Sequence, residues 1–319
     1  MIDLQYFPGW TRKAITFSID DGNVSMDSRL IDIVKPYGIK GTFNLTSNFV
    51  TEHHTAEQIR RIYQGFEIAD HVKYHPYAFA DGAQPTAEQM AAEGFPGKEV
   101  ADVRLVYPVD SELPGFWYRY CTEDKAWQKA ATAQTYLAFA DAGRQELEEI
   151  FGKGAVKGFA WPYCRQENTN LIEQLTGRYI YLRTAGLSFG REETSYDLPS
   201  DWNNWAINAR HDNLVQRASQ LETLPDTGVL KWMAFGVHSA DFERDQAWEE
   251  LERFCKRFGN RPEVFWYASN IEIYAYHQAL RTVQVTGESI QNPSSLSLYI
   301  KIDGRPVILP PQSSVFISI

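Results

Sequence analysis

Short apolar runs typical of β-strands alternate along the chain with stretches in which apolar residues recur every three to four positions. The strand-like runs are residues 14–19, 41–46, 66–70, 156–163, 179–185, 205–209, 230–238 and 263–269. Helical periodicity occurs between several of them, at 28–38, 55–65, 142–152 and 245–259. Because parallel strands need long crossover connections, usually helices, this alternation predicts an α/β protein with a parallel sheet or barrel inside outer helices.

Two segments depart from the alternation. Residues 82–127 are interrupted by proline and glycine, and we interpret them as an insertion over one end of the barrel. Residues 281–319 alternate apolar and polar positions with no helical stretch between them, which predicts a small antiparallel appendage. The expected organisation is therefore a barrel domain over residues 1–280 and a C-terminal β extension over residues 281–319.

Charge and composition narrow the possible partners. The chain of 319 residues has a net charge of -10, with 41 acidic and 31 basic residues, which disfavours nucleic acid as a partner. No apolar run approaches the length of a membrane span, so we expect no membrane insertion. The first ten residues lack a basic leader with an apolar core, which predicts a cytoplasmic protein unless a leader has been removed. A homo-oligomer remains possible.

The cysteines exclude some chemistry. Cys121, Cys164 and Cys255 form no C-x-x-C pair, which argues against a disulfide framework and against a thiolate zinc site. Cys164 is a candidate nucleophile, but a buried thiol without a catalytic role is the simpler interpretation.

Candidate chemistry is concentrated in two polar clusters. Asp20 and Asp21 end a strand-like run directly before Gly22, and two adjacent carboxylates repel unless each has its own partner. His71 and His75 are four residues apart, so on a helix both imidazoles would lie on one face and could share a metal ion. Asp21 would supply a third ligand and Asp20 would face the metal-bound water. The alternatives are a turn at the aspartates and two unrelated surface histidines.

Four motifs in order carry a family resemblance. TFSIDDG (16–22), HVKYHP (71–76), FAWPY (159–163) and MAFGVH (233–238) together resemble the polysaccharide deacetylases of the NodB-homology type, a carbohydrate esterase family 4-like group. The resemblance implies a distorted (β/α)7 barrel and a divalent metal. That metal would most often be Zn²⁺, with Co²⁺, Ni²⁺ or Fe²⁺ as alternatives.

The resemblance also implies residue roles. Asp20 would be the general base and His238 the general acid, while Asp21, His71 and His75 would bind the metal. The third motif would contact substrate through Trp161, Pro162 and Tyr163, with the main-chain N–H of Tyr163 binding the oxyanion. The implied reaction is removal of acetyl groups from an N-acetylated, or less favourably O-acetylated, carbohydrate through attack of a metal-bound water.

A weaker match lies at SDWNNW (200–205). There Asp201 is a candidate to orient His238, and Trp202 is a candidate wall of the substrate pocket. A turn with core tryptophans explains the same residues equally well.

Two departures from the family pattern affect the choice of substrate. The arginine that pairs with the base aspartate falls at Ala160, and Arg165, Arg183 and Arg210 are all possible substitutes. The usual hydroxyl residue after the first histidine is Val72. Two alternative functions therefore remain: the same barrel hydrolysing a non-peptide C–N bond of a small amide such as a cyclic amide, or a catalytically silent carbohydrate-binding protein.

Overall fold

The computed structural model describes residues 1–79, 103–106, 113, 115–121, 126–164, 166, 168–184, 195–287 and 289–316. Its strands are β1 (Ile2–Asp3), β2 (Lys13–Asp21), β3 (Gly41–Leu45), β4 (Glu67–Asp70), β5 (Tyr77–Ala78), β6 (Val103–Val106), β7 (Phe116–Cys121), β8 (Ala126–Ala131), β9 (Gly158–Ala160), β10 (Tyr181–Thr184), β11 (Trp205–Ala206), β12 (Lys231–His238), β13 (Phe265–Tyr267), β14 (Gln284–Val285), β15 (Ser289–Asn292), β16 (Leu298–Ile302), β17 (Arg305–Leu309) and β18 (Ser313–Phe316). Its α-helices are α1 (Val24–Val34), α2 (Ser47–Thr51), α3 (Ala56–Ile62), α4 (Ala133–Phe151), α5 (Thr169–Thr176), α6 (Leu214–Thr223), α7 (Ser239–Arg244), α8 (Trp248–Phe258) and α9 (Asn270–Thr282).

Seven parallel strands form the central sheet, in the order β11, β10, β9, β4, β3, β2, β12. A bridge between Ala209, just beyond β11, and Phe235 of β12 nearly closes this sheet into a barrel. β13 adds an eighth strand beside the first residues of β2. Interiors of β2 and β12 are buried along almost their whole length, as expected for strands covered on both faces. The predicted (β/α)7 barrel is confirmed.

Caps and apolar stripes explain where the outer helices form. At α9, the Ser269 side chain accepts a hydrogen bond from the Glu272 backbone, and the Glu272 carboxylate accepts one from the Ser269 backbone. Along α8 the buried residues are Trp248, Leu251, Phe254, Cys255 and Phe258, which recur every three to four positions. This helix therefore buries one apolar face.

A second sheet lies beside the carboxyl end of the barrel. It has the order β5, β8, β7, β6, and its residues Tyr77, Phe79 and Ala130 pack against Tyr163 of the third motif. The predicted insertion contributes β6, β7 and the start of β8, while residues 80–102, 107–112, 114 and 122–125 lie outside the described residues. Residues that flank the insertion, Tyr77, Phe79 and Ala130, are thus in contact with the predicted site residue Tyr163.

The C-terminal strands are antiparallel, as predicted. β14, β15 and β18 form one small sheet, and β16 and β17 form another together with β1 from the N-terminus. Ile290, Leu298 and Ile300 share one apolar cluster with Trp232 of the barrel. The boundary at residue 280 stays a prediction. It falls within α9, and apolar residues from both sides of it share this cluster. No helix in the described ranges combines the length and apolarity needed to cross a membrane.

Candidate active site

The two adjacent aspartates at the end of β2 have separate partners. Asp20 continues the strand and is paired in register with Asn44 on β3 and His238 on β12. Asp21 adopts a left-handed backbone with φ of 77°, which is uncommon for a residue other than glycine and is concentrated at functional sites. Gly22 follows with φ of 87°, and a Cβ there would lie 2.6 Å from Val50. This turn lets Asp21 face the histidines while Asp20 faces the barrel interior.

Asp21, His71 and His75 converge on one point. The Oδ1 of Asp21 lies 3.4 Å from Nε2 of His71 and 3.3 Å from Nε2 of His75, and the two Nε2 atoms are 3.2 Å apart. This buried Oδ1 accepts no hydrogen bond from the described residues. Ligands about 2.0–2.1 Å from a tetrahedral Zn²⁺ are about 3.3–3.4 Å from one another. The three atoms therefore fit a divalent metal, as predicted from the sequence.

Both imidazoles are in the form that a metal ligand requires. The Nδ1–H of His71 donates to the backbone carbonyl of Ala160 at 2.9 Å, which leaves the Nε2 lone pair directed towards Asp21. Burial lowers the pKa of His75 to about 3, although the Asp21 carboxylate opposes this shift, so the ring is neutral near pH 7. Burial would raise the pKa of Asp21, but the two histidines hold it well below its ordinary value.

The two histidines lie on a turn and not on a helix, the geometry used above to illustrate their spacing. The backbone N–H of His75 bonds to the Val72 carbonyl at 3.0 Å, and Val72, Tyr74 and His75 all have positive φ. A turn of this kind brings positions four apart together as well as a helix does. Positive φ at three residues other than glycine leaves no trace in hydrophobic periodicity, so the sequence did not show it.

Side chains from neighbouring elements hold this turn in place. Asp70, the last residue of β4, accepts a hydrogen bond from the Val72 backbone at 3.0 Å, and Asn48 of α2 accepts one from the Tyr74 backbone at 2.6 Å. These bonds order the turn without the hydroxyl that Val72 lacks. Sequence reasoning missed both residues, although a carboxylate directly before His71 at a strand end was a usable signal.

Arg183 is the arginine that pairs with Asp20. Its guanidinium donates through Nη2 to Oδ1 of Asp20, and only 1% of its side chain is exposed. Arg183 on β10 is the direct register partner of Ala160 on β9, so the arginine sits one strand away from the family position at the same level. Burial would raise the pKa of Asp20, but Arg183, and more weakly His71 and His238, keep it below its ordinary value.

Of the other two candidate arginines, Arg210 is not a partner of Asp20 in the structure. Arg210 is exposed beyond β11, and its backbone N–H donates to the Asn213 side chain at 2.8 Å. Arg165 lies outside the described residues. The supporting role predicted for Arg210 therefore belongs to Arg183.

His238 lies at the end of β12 with an oriented imidazole. Its Nδ1 is 3.0 Å from Oδ2 of Asp241, its Nε2 is 3.7 Å from Oδ2 of Asp21, and 46% of the side chain is exposed. Burial works against its charged form, but the hydrogen bond to Asp241 and the charges of Asp21 and Asp20 raise its pKa to about 9. The ring is therefore an imidazolium near pH 7 and can donate a proton.

The orienting residue is Asp241 rather than Asp201. Asp201 is exposed and accepts a hydrogen bond from the backbone of Asn203 at 2.8 Å. Asp241 is the third residue of α7, and its carboxylate also accepts from the His238 backbone at 3.1 Å. A carboxylate three positions after the histidine, at the start of a helix, was the sequence signal for this cap.

The role predicted for Trp202, a wall of the substrate pocket, is also wrong. It is 5% exposed, belongs to the apolar cluster with Trp205 and Trp232, and donates its indole N–H to Nδ1 of His277 at 3.1 Å. The structure thus makes it a core residue, which was the alternative interpretation, and not a wall of the substrate pocket.

The third motif contributes one accessible side chain. Trp161 is 1% exposed and stacks on Tyr136, and Pro162 is buried, so neither side chain offers a surface to substrate. Tyr163 is partly exposed, with its ring centroid 4.6 Å from that of His75. Burial raises the pKa of the neighbouring Cys164 to about 11, so its thiol stays protonated and is a poor nucleophile.

A buried carboxylate, an oriented imidazole and three side chains that fit a metal ion lie together at the carboxyl end of parallel barrel strands, an arrangement that suits metal-assisted hydrolysis. The chain belongs to the polysaccharide deacetylase family: the family model described as "Polysaccharide deacetylase" matches residues 10–179, slightly more than half of the chain. Members of this family are hydrolases that deacetylate carbohydrates.

Several solved structures are similar to this chain at low identity. The Xyl-CE4 domain of a multidomain xylanase from the hindgut metagenome of Trinervitermes trinervoides is 16% identical, with 84% of this chain and 92% of that chain covered and a TM-score of 0.47. The peptidoglycan deacetylase PdaC from Bacillus subtilis is 13% identical, covering 85% and 95%, with a TM-score of 0.45. A family 4 acetyl xylan esterase from Clostridium thermocellum is 15% identical, covering 82% and 90%, with a TM-score of 0.44. Among curated proteins, none matches significantly.

Proposed function

We propose that the protein is a metal-dependent hydrolase that removes acetyl groups from an N-acetylated carbohydrate, with O-acetylated carbohydrate as the second choice. The observation that carries this proposal is the convergence of Asp21, His71 and His75 between the Arg183-paired Asp20 and the Asp241-paired His238. A binding protein without catalysis would need neither a buried carboxylate kept ionised nor an oriented imidazolium.

Asp21, His71 and His75 would hold the metal ion. Two imidazoles and one carboxylate suit Zn²⁺ and also accept Co²⁺, Ni²⁺ or Fe²⁺. When bound, such a metal acts as a Lewis acid that lowers the pKa of a water and polarises an acyl oxygen. Because His75 is already neutral and His71 is fixed by Ala160, these residues need little rearrangement on binding.

Asp20 would act as the general base. Its buried carboxylate is kept ionised by Arg183, so it can accept the proton of the water that attacks the acetyl carbon. Arg183 therefore contributes by keeping the base in its charged form.

His238 would act as the general acid. Asp241 accepts from Nδ1, which leaves Nε2–H directed towards the site, and the raised pKa keeps that proton available near pH 7. Transfer of this proton to the leaving nitrogen of an acetamide, or to the leaving oxygen of an acetyl ester, completes the cleavage.

Tyr163 would contribute to substrate binding. Its main-chain N–H would stabilise the oxyanion that develops on the acetyl group, and its partly exposed ring beside His75 would contact the sugar.

Hydrolysis of a substrate panel tests this function, measured as acetate release from the acetylated sugars and as ring opening of a cyclic amide. The panel contains an N-acetylglucosamine oligomer, O-acetylated xylan and a small cyclic amide, each offered to protein reconstituted with Zn²⁺. We expect acetate from the N-acetylated oligomer, loss of that activity in His75→Ala, and retention in His277→Ala, which removes a histidine outside the site. Hydrolysis of the cyclic amide alone, or sugar binding without turnover at full metal occupancy, would overturn the proposal.

A further inference from the structure

The amide of Asn44 lies inside the barrel against the carboxylate of Asp20. Asn44 is the register partner of Asp20 across β2 and β3, and its Nδ2 is 2.7 Å from Oδ1 of Asp20 and 3.0 Å from Oγ of Ser18. All three residues are buried. The nitrogen of the amide faces Asp20, because an amide oxygen at 2.7 Å from a carboxylate would be repelled.

We propose that Asn44 is a positioning residue for Asp20, which it aims and holds for proton transfer. This inference rests on the proposed role of Asp20 as the base. Arg183 and Asn44 both donate to the same oxygen, Oδ1. Hydrogen bonds to Oδ1 stabilise negative charge there, so Oδ2 is the oxygen that accepts the proton, and the rotation of the carboxylate is fixed by two donors from two different strands.

Further hydrogen bonds, made by Ser18 and Asn270, fix the orientation of the Asn44 amide. Ser18 also accepts a hydrogen bond from Nδ2 of Asn270 at 3.1 Å, and the Asn270 backbone N–H bonds to Oγ1 of Thr42 at 2.9 Å. Asn270 is the first residue of α9, so this helix braces the hydroxyl that Asn44 contacts. The orientation of Asp20 therefore depends on β3 and α9 as well as on Arg183.

A purely structural role for Asn44 predicts something different. In that case the amide would only satisfy buried polar groups, and any comparable loss of a buried hydrogen bond inside the barrel would have the same effect. Thr16 supplies the matched control: it lies on β2, is fully buried, and its hydroxyl accepts a hydrogen bond from the indole N–H of Trp232 at 2.8 Å. Thr16→Val removes this hydroxyl with little change in volume.

The test compares Asn44→Leu, Asn44→Asp and Thr16→Val by steady-state kinetics on the N-acetylglucosamine oligomer, with metal content and melting temperature measured alongside. For Asn44→Leu we expect kcat to fall about 10- to 100-fold, the range for a hydrogen bond to a charged group, with KM within about twofold and unchanged metal content. The kcat of Asn44→Asp should fall further, because this variant places a second carboxylate beside Asp20. Thr16→Val should lower the melting temperature but keep kcat within about twofold.

Wild-type kcat in Asn44→Leu, or an equal loss of kcat in Thr16→Val, would overturn the inference. If the leucine variant does not fold, Ser18→Ala replaces it, with an expected several-fold fall in kcat. A wild-type protein inactive on every acetylated sugar would overturn the proposed function instead. In that event a crystal structure of Asn44→Leu decides the inference: we expect a rotated Asp20 carboxylate, and an unmoved carboxylate contradicts it.

Discussion

Asp20, which is buried, and Glu67, which is partly buried, have pKa values shifted in opposite directions at the two ends of the barrel. Asp20, at the carboxyl end, has its pKa held below the ordinary value by Arg183 even though burial acts in the other direction. Glu67, at the opposite end, accepts hydrogen bonds from Thr42, from Tyr181 at 2.8 Å and from the Ile271 backbone at 2.8 Å, yet burial raises its pKa to about 7. Neutral donors do not offset the burial of Glu67, whereas a guanidinium does so for Asp20.

One hydrogen-bond partner of each carboxylate lies on β10. Tyr181 and Arg183 are two residues apart on β10, so both side chains point into the barrel, one towards each end. A phenol leaves its carboxyl group close to neutral, and an arginine keeps its carboxylate charged. The comparison indicates that the charged end is adapted for chemistry and the neutral end for packing.

Replacing the carboxylate at each end of the barrel, Asp20 or Glu67, should give the largest difference in kcat. Asp20→Asn keeps the shape of the side chain but cannot act as a base, so we expect kcat to fall about 10³- to 10⁴-fold. Glu67→Gln should keep kcat within about threefold, because Glu67 touches neither substrate nor metal. Acetate release by both variants measures the difference, and comparable losses would show that the two ends are not functionally distinct.

Removing the Arg183 guanidinium should raise the pKa of Asp20, as burial raises the pKa of Glu67. Arg183→Met leaves a buried carboxylate without its cation, so the pKa of Asp20 should rise and kcat near pH 7 should fall about 10²-fold. Unfolding free energy should decrease by about 3–5 kcal/mol, the usual effect of breaking a buried ion pair. Chemical denaturation and a kcat profile against pH check both effects, and a variant with wild-type rates would show that Arg183 does not act on Asp20.

Moving the arginine from β10 to β9 should restore part of the kcat that is lost when Arg183 is removed. Since Ala160 and Arg183 are register partners, the double variant Ala160→Arg with Arg183→Ala should place a guanidinium at the same level of the barrel. We expect a gain of about tenfold in kcat over Arg183→Ala alone. No gain would mean that the position of the arginine matters as well as its charge.

The smallest expected effect is on the pH dependence of the unfolding free energy. The folded pKa of Glu67, about 7, is above its ordinary value of 4.5, so its contribution to stability is fully present below pH 4.5 and is lost as pH rises through 7. Glu67→Gln should therefore flatten the fall in unfolding free energy between pH 5 and pH 8, by on the order of 2 kcal/mol. The exposed Glu57→Gln is the control and should leave the slope unchanged; an unchanged slope in Glu67→Gln would place its pKa near the ordinary value.

The sequence predicted the barrel and the metal residues because both depend on local patterns. β2 and β12 are apolar runs that end in Asp20, Asp21 and His238, and the strand ends of a parallel barrel meet at one edge. The choice of Arg183 was not predictable, since it depends on the register between β9 and β10, which no short motif records. The role of Asn44 likewise depends on which residue faces Asp20 across two strands.

Metal dependence is the central claim, and one titration tests it most directly. The protein is stripped with a chelator, its metal content is measured, and acetate release from the N-acetylglucosamine oligomer is followed as Zn²⁺ is added back. We predict no activity in the stripped protein and recovery that saturates at one Zn²⁺ per chain, with no recovery in Asp21→Ala. Full acetate release by protein shown to contain no metal would contradict the account.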